Sequence, residues 1–253
     1  MLKWLQEGLY TQIEYSSVAM AVVGTVGIAL LCMVIPYLLG SVNTAVLVSR
    51  LLYHDDIRRH GSGNAGLTNM LRTYGKVGAL LTLLGDVLKT LLSIFIGGLL
   101  MGLQYYGSFS LGYGGYLAAM FCVMGHVFPI YYRFKGGKGV LCSATVVAAL
   151  SPIVFCILLL VFVGLVALTK YVSLGSVMSA LTYPLFYFML FKVMFQGSTP
   201  PFYVVLFTFA IAAFLVWLHR ANIERLRKGE EHKLSFSKHS VDTSHTSGEG
   251  EDK

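Results

Sequence analysis

The segments Val18–Leu39 and Phe202–Leu218 carry no charged side chain, and Ala79–Met101 carries only Asp86 and Lys89. Each is close to the ~20 residues that a helix needs to cross a hydrocarbon layer. A water-soluble core in a chain of 253 residues has no need of several such runs. Bulk composition agrees, with 56% of residues hydrophobic and 12% charged, about half the charged share of a soluble domain. The chain reads as an all-α, polytopic integral membrane protein.

The first 17 residues, MLKWLQEGLYTQIEYSS, hold two glutamates and lack the apolar run and small-residue cleavage site of a secretory signal. They read as a short amphipathic arm, residues 1–17, ahead of a membrane domain over residues 18–231. Cys32, Cys122, Cys142 and Cys156 lie in apolar stretches without Cys-x-x-Cys or Cys/His spacing, so neither disulfides nor a metal site is expected. From about Lys233 the composition shifts to Ser, Thr, Gly and charge, and residues 232–253 read as a disordered cytoplasmic tail.

Net charge is +7, and its placement says more than its sum. Arg50, Arg58, Arg59, Arg72 and Lys76 bracket a first polar loop, Arg133, Lys135 and Lys138 sit in a second, and seven basic residues follow His219. A nucleic-acid surface would also cluster basic residues. Alternation of these clusters with apolar spans fits the positive-inside rule instead, placing them at the cytoplasmic side of the membrane with no nucleic-acid partner. One helix is expected from Val18 to Leu52, then a polar loop to Gly75. Spans follow over Lys76–Gly102, Leu111–Tyr132, Tyr171–Phe191 and Phe202–Leu218, with a charge-free turn, QYYGSFS, after the first of them. If Val140–Thr169 crosses once, the second basic loop and the basic tail face opposite sides. If it breaks at Ser151-Pro152, where proline disfavours helix at the preceding residue, the clusters share one side. The second option gives about seven transmembrane helices, with the N-terminus outside and the C-terminus inside.

Three polar constellations interrupt the apolar pattern. The first, HGSGNAGLTNMLRTYGKVG (residues 60–78), offers Ser62, Asn64, Thr68, Asn69 and Arg72 among glycines. Glycines let backbone N–H groups approach an anion, and a guanidinium holds phosphate by two parallel hydrogen bonds. An ordinary turn and helix cap would also use Ser, Asn and Thr. The second, GHVFPIYYRFKGGKGV (residues 125–140), interleaves Gly136, Gly137 and Gly139 with Lys135 and Lys138, a pattern suited to an anion-binding concavity. Contact with anionic headgroups is the plainer alternative. His126, at the apolar end of the preceding span, reads as a cap or a hydrogen-bond partner for a neighbouring helix. The third, HRANIERLRKGEE (residues 219–231), places His219, Asn222, Ile223 and Leu226 on one helix face at the membrane surface. Asp86 and Lys89, within a span, read as an i, i+3 pair that offsets the cost of charge in lipid.

Taken in order, GSGNAGLTNMLR, the following Asp86 and Lys89, GHVFPIYYRFKGGKGV and HRANIERLRKGEE resemble the bacterial acyl-phosphate-dependent glycerol-3-phosphate acyltransferases over about 180 residues, Gly40-Ser41 to Glu231. Asn43 stands where that family usually has proline, Leu141-Cys142 where it has Ala-Thr, and Thr90 where glycine is common. The resemblance implies seven spans and the first acylation of phospholipid synthesis. Acyl phosphate and glycerol 3-phosphate give 1-acylglycerol 3-phosphate and phosphate, without a cofactor. His219, Asn222 and Ser62 are then the candidate catalytic residues. Glycerol 3-phosphate falls to Ser62, Arg72, Lys138, His219 and Asn222, and acyl phosphate to Asn64, Thr68, Asn69, Lys135, Gly136, Gly137 and Gly139. Asp86, Lys89, Glu224 and Arg225 take supporting roles, and the enzyme forming the acyl phosphate is a candidate partner.

Two phosphates side by side require clustered cations, and an activated acyl donor leaves positioning and charge neutralisation to supply the rate. No Ser-His-Asp order is present, so direct attack by the substrate hydroxyl is expected, with His219 or a substrate phosphate as base. A transporter of a phosphorylated metabolite is the alternative, but after Gly139 only Lys170 and Lys192 are charged before His219. A CDP-alcohol phosphotransferase would need a run of metal-binding aspartates, which the sequence lacks.

Overall fold

The computed structural model describes residues 7–102, 105–106, 109–110 and 112–234. Hydrocarbon offers no hydrogen-bond partner to a peptide group, so apolar runs satisfy their backbone internally as helices. They form α1 (Val18–Ser41), α2 (Thr44–Tyr53), α3 (Leu67–Met101), α4 (Tyr113–Val127) and α5 (Val140–Leu150). Then come α6 (Pro152–Thr169), α7 (Val172–Met194), α8 (Phe202–Leu218) and α9 (Arg220–Lys228). In the turn between α3 and α4, Tyr105–Tyr106 and Phe109–Ser110 pair as a two-residue antiparallel ladder. The chain is a multi-pass membrane protein. Five segments are long and apolar enough to cross: Val18–Tyr53, Leu67–Met101, Tyr113–Tyr132, Pro152–Thr169 and Val172–Met194. The pair α8 and α9, bent by 55° at His219, adds a sixth.

Two expected boundaries are corrected. The single helix from Val18 to Leu52 is two, divided at Val42–Asn43. The Asn43 side chain accepts the Val46 N–H at 3.1 Å, capping α2, and lies 3.4 Å from the Ala65 carbonyl that its amide faces. The polar loop expected to run to Gly75 ends earlier, because α3 begins at Leu67 and only kinks at Gly75, where φ is 77°. That left-handed conformation suits glycine. The break at Ser151-Pro152 is present, with Pro152 in the first turn of α6, where its missing N–H leaves no bond unmade. α5 has 11 residues. It is roughly 16 Å long at ~1.5 Å per residue, about half of a ~30 Å hydrocarbon core.

Helices in lipid gain little from burying leucine, so close association needs small residues. A Cβ on Gly114 of α4 would lie 1.9 Å from the Gly97 carbonyl of α3, and one on Gly97 would lie 2.2 Å from the Gly114 carbonyl. A Cβ on Gly40 of α1 would likewise lie 2.1 Å from the Cys122 carbonyl, and one on Gly125 of α4 would lie 2.2 Å from the Tyr37 carbonyl. α4 is thereby clamped between α1 and α3. The outer surfaces of α1 and α6 face lipid, as Val23 and Leu160, 73% and 74% exposed, show. Gly114→Val should cost at least ~1–3 kcal/mol through overpacking. It is read as a lower unfolding temperature in detergent, and a melting curve matching the parent would mean that α3 and α4 do not touch there.

The arm ahead of α1 contains one turn of 3-10 helix, Leu9–Gln12, and Gly8 abuts the Gly102 amide at the end of α3. Residues 1–6 of that arm and 235–253 of the expected tail lie outside the described residues. The chain after α9 folds back instead of leaving, with the Leu234 N–H donating to the Lys170 carbonyl at 2.7 Å.

Candidate active site

All three constellations open onto one cavity of about 400 Å³. Its mouth is polar. Ser62, Asn64, Thr68 and Arg72 come from the first loop and the start of α3, Lys138 and Gly139 from the glycine loop, and His219, Asn222, Arg225 and Glu231 from the α8–α9 bend and beyond. Its shaft is mainly apolar, lined by Val147 of α5, Phe155, Leu158 and Phe162 of α6, Ala180 and Tyr183 of α7, and Ile211 and Leu215 of α8, with the hydroxyls of Ser176 and Ser179 along the α7 side. His232 and Leu234, placed in the tail by composition, also stand at this wall.

His219 caps the C-terminus of α8, and its Nδ1 lies 2.8 Å from the Leu215 carbonyl. A carbonyl oxygen can only accept, so Nδ1 carries the hydrogen and Nε2 is the ring's acceptor. One turn on, Asn222 Oδ1 accepts from Lys138 and its amide donates to Glu231 at 2.7 Å. Arg225 Nε donates to the other oxygen of Glu231 at 2.8 Å. Burial, then the charge of Arg225, holds the Lys138 ammonium below the usual lysine pKa. Burial works against the Glu231 carboxylate, yet the hydrogen bonds from Asn222 and Arg225 outweigh it and keep its pKa below the ordinary value. Arg72 differs from Arg50, Arg58 and Arg225, each of which is paired with a carboxylate. Among the described residues Arg72 makes no ion pair, leaving its guanidinium available at the mouth.

Several expected ligands are already engaged. The Gly136 N–H donates to the Val127 carbonyl and the Gly137 N–H to the His126 carbonyl, both at 3.2 Å. A Cβ on Gly136 would meet the His126 carbonyl at 2.1 Å, and one on Gly137 would meet His126 Nε2 at 2.3 Å. Close packing explains these two glycines, and neither borders the cavity. Lys135 is exposed and stands away from it, and Glu224 pairs with Lys228 at 2.8 Å on the solvent side of α9. Asn69 does line the cavity, but its side chain is buried and holds the first loop in shape. Its amide nitrogen lies 3.0–3.3 Å from the carbonyls of Ile57, His60 and Asn64, and its oxygen accepts the Ser62 N–H at 3.1 Å.

Asp86 and Lys89 pair at 2.7 Å, 1% and 7% exposed, inside a network that sequence spacing does not reveal. Asp86 also accepts from Thr44 at 2.9 Å, while Lys89 donates to the Val42 carbonyl at 2.9 Å and lies 3.0 Å from His126 Nδ1. The network ties the α1–α2 break to α3 and α4. Asn43 and Gly137 meet the Ala65 carbonyl beside it, which connects both motif loops to the same support. Asp86, His126 and Cys142 bring three donor atoms within 4.8 Å, a metal-like grouping that no sequence spacing announces. The Lys89 ammonium already supplies the positive charge between Asp86 and His126, so these residues do not fit a metal ion.

The family model for glycerol-3-phosphate acyltransferase matches residues 30–229, which contain the first two motif clusters whole and the third up to Gly229. The chain belongs to the glycerol-3-phosphate acyltransferase family. A glycerol-3-phosphate acyltransferase of Syntrophomonas wolfei is 43% identical over 203 residues, covering 80% of this chain and 95% of the relative. Another, from Clostridioides difficile, is 40% identical over 205 residues, 81% of this chain and 95% of the relative. Among solved structures, the glycerol 3-phosphate form of PlsY (YgiH), an integral membrane glycerol 3-phosphate acyltransferase, is similar with a TM-score of 0.67 and 32% identity. The match covers 82% of this chain and 96% of that one. The lysophosphatidic acid form gives a TM-score of 0.66 and 31% identity.

His126, expected as a cap or a hydrogen-bond partner for a neighbouring helix, meets Lys89 of α3 and completes the buried network. Three side chains without an expected role also come to the site, and of these Glu231, two residues beyond the family match, orients Asn222 and Arg225. Ser143 and Ser173 border the cavity with buried hydroxyls. Neither makes a hydrogen bond of ordinary geometry among the described residues, although Ser173 lies beside Glu231. A buried hydroxyl without a partner is costly, and one that faces a cavity suits a ligand. Serine is common in membrane helices, so these two carry no signal in a single sequence.

Proposed function

We propose that this chain transfers a fatty acyl group from acyl phosphate to the sn-1 hydroxyl of glycerol 3-phosphate, giving 1-acylglycerol 3-phosphate and inorganic phosphate. The observation that carries the reading is one cavity with a cationic, hydroxyl-rich mouth and an apolar shaft. That shape suits a ligand with a phosphate head and a hydrocarbon tail. Arg72 and Lys138 neutralise the two phosphates, while Arg225, paired with Glu231, keeps a supporting role and Lys135 stands away from the cavity. Ser62, Ser143 and Ser173 offer hydrogen bonds. The substrate hydroxyl oxygen attacks the acyl carbonyl carbon, the bond from that carbon to the phosphate oxygen breaks, and phosphate leaves with the bonding pair. The hydroxyl proton goes to His219 Nε2 or to a substrate phosphate. A transport path would need charged or strongly polar groups along its length, whereas the ionisable groups here gather at the mouth and the shaft adds only the hydroxyls of Ser176, Ser179 and Tyr183.

Seven crossings with the N-terminus outside remain our reading of topology, with α5 and α6 as separate limbs on either side of Ser151 and the cavity mouth at the cytoplasmic face of a bacterial inner membrane. The donor reading makes the enzyme that forms the acyl phosphate a candidate partner. Purified protein is expected to acylate glycerol 3-phosphate with palmitoyl phosphate but not with palmitoyl-CoA. Arg72→Lys, which keeps charge but loses the bidentate fork, should raise the KM for glycerol 3-phosphate about tenfold or more. Equal turnover with the thioester, or an unchanged KM in the variant, would sink the donor and the phosphate assignments respectively.

A further inference from the structure

We infer that Tyr183 is the floor of the acyl shaft and sets the longest acyl chain this protein accepts. Along α7 the cavity wall runs through Val172, Ser173, Ser176, Ser179, Ala180 and Tyr183 and stops there. Tyr187, one turn deeper, does not border the cavity. The distance from Val172 to Tyr183 is roughly 16 Å at ~1.5 Å per residue. That is about the depth of one leaflet of a ~30 Å hydrocarbon core. On the facing helices the wall ends at Val147 and Ile211, and Phe207, one turn below Ile211, lies outside it.

What lies beneath makes the floor rigid. The Tyr183 ring, 2% exposed, meets Tyr187 edge-on with centroids 6.1 Å apart. The Tyr187 hydroxyl stands 3.3 Å from that of Tyr116, whose ring meets Phe207 at 4.9 Å. Close-packed aromatic interiors yield little to an extra methylene. The Tyr183 hydroxyl has no hydrogen-bond partner among the described residues, so the packing that supports the floor is that of the ring, and Tyr183→Phe separates the ring's bulk from its hydroxyl. An apolar pocket discriminates by about tenfold or more for one methylene that does not fit. A shaft closed by this ring should therefore cut off sharply with chain length.

The inference rests on the proposed reading that the shaft holds the acyl chain, and two readouts separate the failures. Turnover is measured with lauroyl, palmitoyl, stearoyl and arachidoyl phosphates. Thermal stabilisation is measured with the matching 1-acylglycerol 3-phosphates, which occupy the shaft whatever the donor. Tyr183→Ala and the milder Tyr183→Leu should raise the arachidoyl-to-palmitoyl ratio about tenfold or more in both readouts. Ala180→Phe, which narrows the shaft above the floor, should shift both optima toward lauroyl, and Tyr183→Phe should keep the parent profile. A parent profile that does not fall with length would mean that the chain leaves sideways past Leu159, and the floor assignment is lost. It is equally lost if Tyr183→Phe shifts the profile as far as Tyr183→Ala, or if no variant moves it. Loss of all acyl-phosphate turnover with the product-binding shift intact would instead overturn the donor and keep the floor.

Discussion

Lys89→Met is expected to destabilise the folded protein by ~3–5 kcal/mol, the usual consequence of stripping one partner from a buried ion pair. Asp86 would keep the Thr44 hydroxyl but lose the ammonium at 2.7 Å, in a setting where its side chain is 1% exposed. The Val42 carbonyl would lose its donor at the α1–α2 break, and His126 Nδ1 would lose its contact as well. Because Asn43 and Gly137 meet Ala65 next to this network, both motif loops should loosen before the helices separate. Thermal unfolding in detergent and protease sensitivity of residues 57–66 would read the two effects. Adding Asp86→Asn to Lys89→Met removes the stranded charge, so the double variant should recover part of the loss. A single variant that melts with the parent would show that the pair does not support the bundle.

His219→Ala should lower kcat by about 100-fold to 10,000-fold, the range for a positioned general base. The KM for glycerol 3-phosphate should change far less than in Arg72→Lys. The Leu215 carbonyl fixes the Nδ1 hydrogen and leaves Nε2 to accept, so the ring needs no rearrangement to take a proton. The decisive comparison is His219→Asn, which retains a hydrogen-bonding amide but cannot titrate. If the histidine is the base, this variant is nearly as slow as alanine and the acidic limb of the pH–rate profile disappears. If a substrate phosphate takes the proton, His219→Asn keeps appreciable activity with that limb unaltered, and His219 becomes a positioning residue. Parent kinetics in both variants, with the protein folded, would remove His219 from the site.

Length and absence of charge determined the membrane-spanning helices, since a peptide group in hydrocarbon can be satisfied only within its own helix. Pro152 likewise announced the break after Ser151, because a proline ring constrains the residue before it whatever surrounds it. The first two motif clusters read as anion-binding from residue type and local spacing, with a helix cap or headgroup contact as the plainer alternatives, and the family to which the chain belongs was legible in the order of all three. Local spacing misled where one residue type serves two purposes. Gly136 and Gly137 read as amides for an anion, yet their lack of a Cβ is what lets the loop pass His126 and Val127. Asn69 read as a ligand but holds four backbone groups of its own loop. The division at Asn43 was equally hidden, because an apolar run looks the same whether or not a cap interrupts it. Only tertiary structure could bring His126 from α4 to the Asp86–Lys89 pair, set Ser143 and Ser173 at the cavity, return Glu231 to Asn222, and close the shaft with Tyr183. Each of those contacts joins residues far apart in the chain, and their partners are chosen by how closely the helices approach, which no periodicity within one segment records.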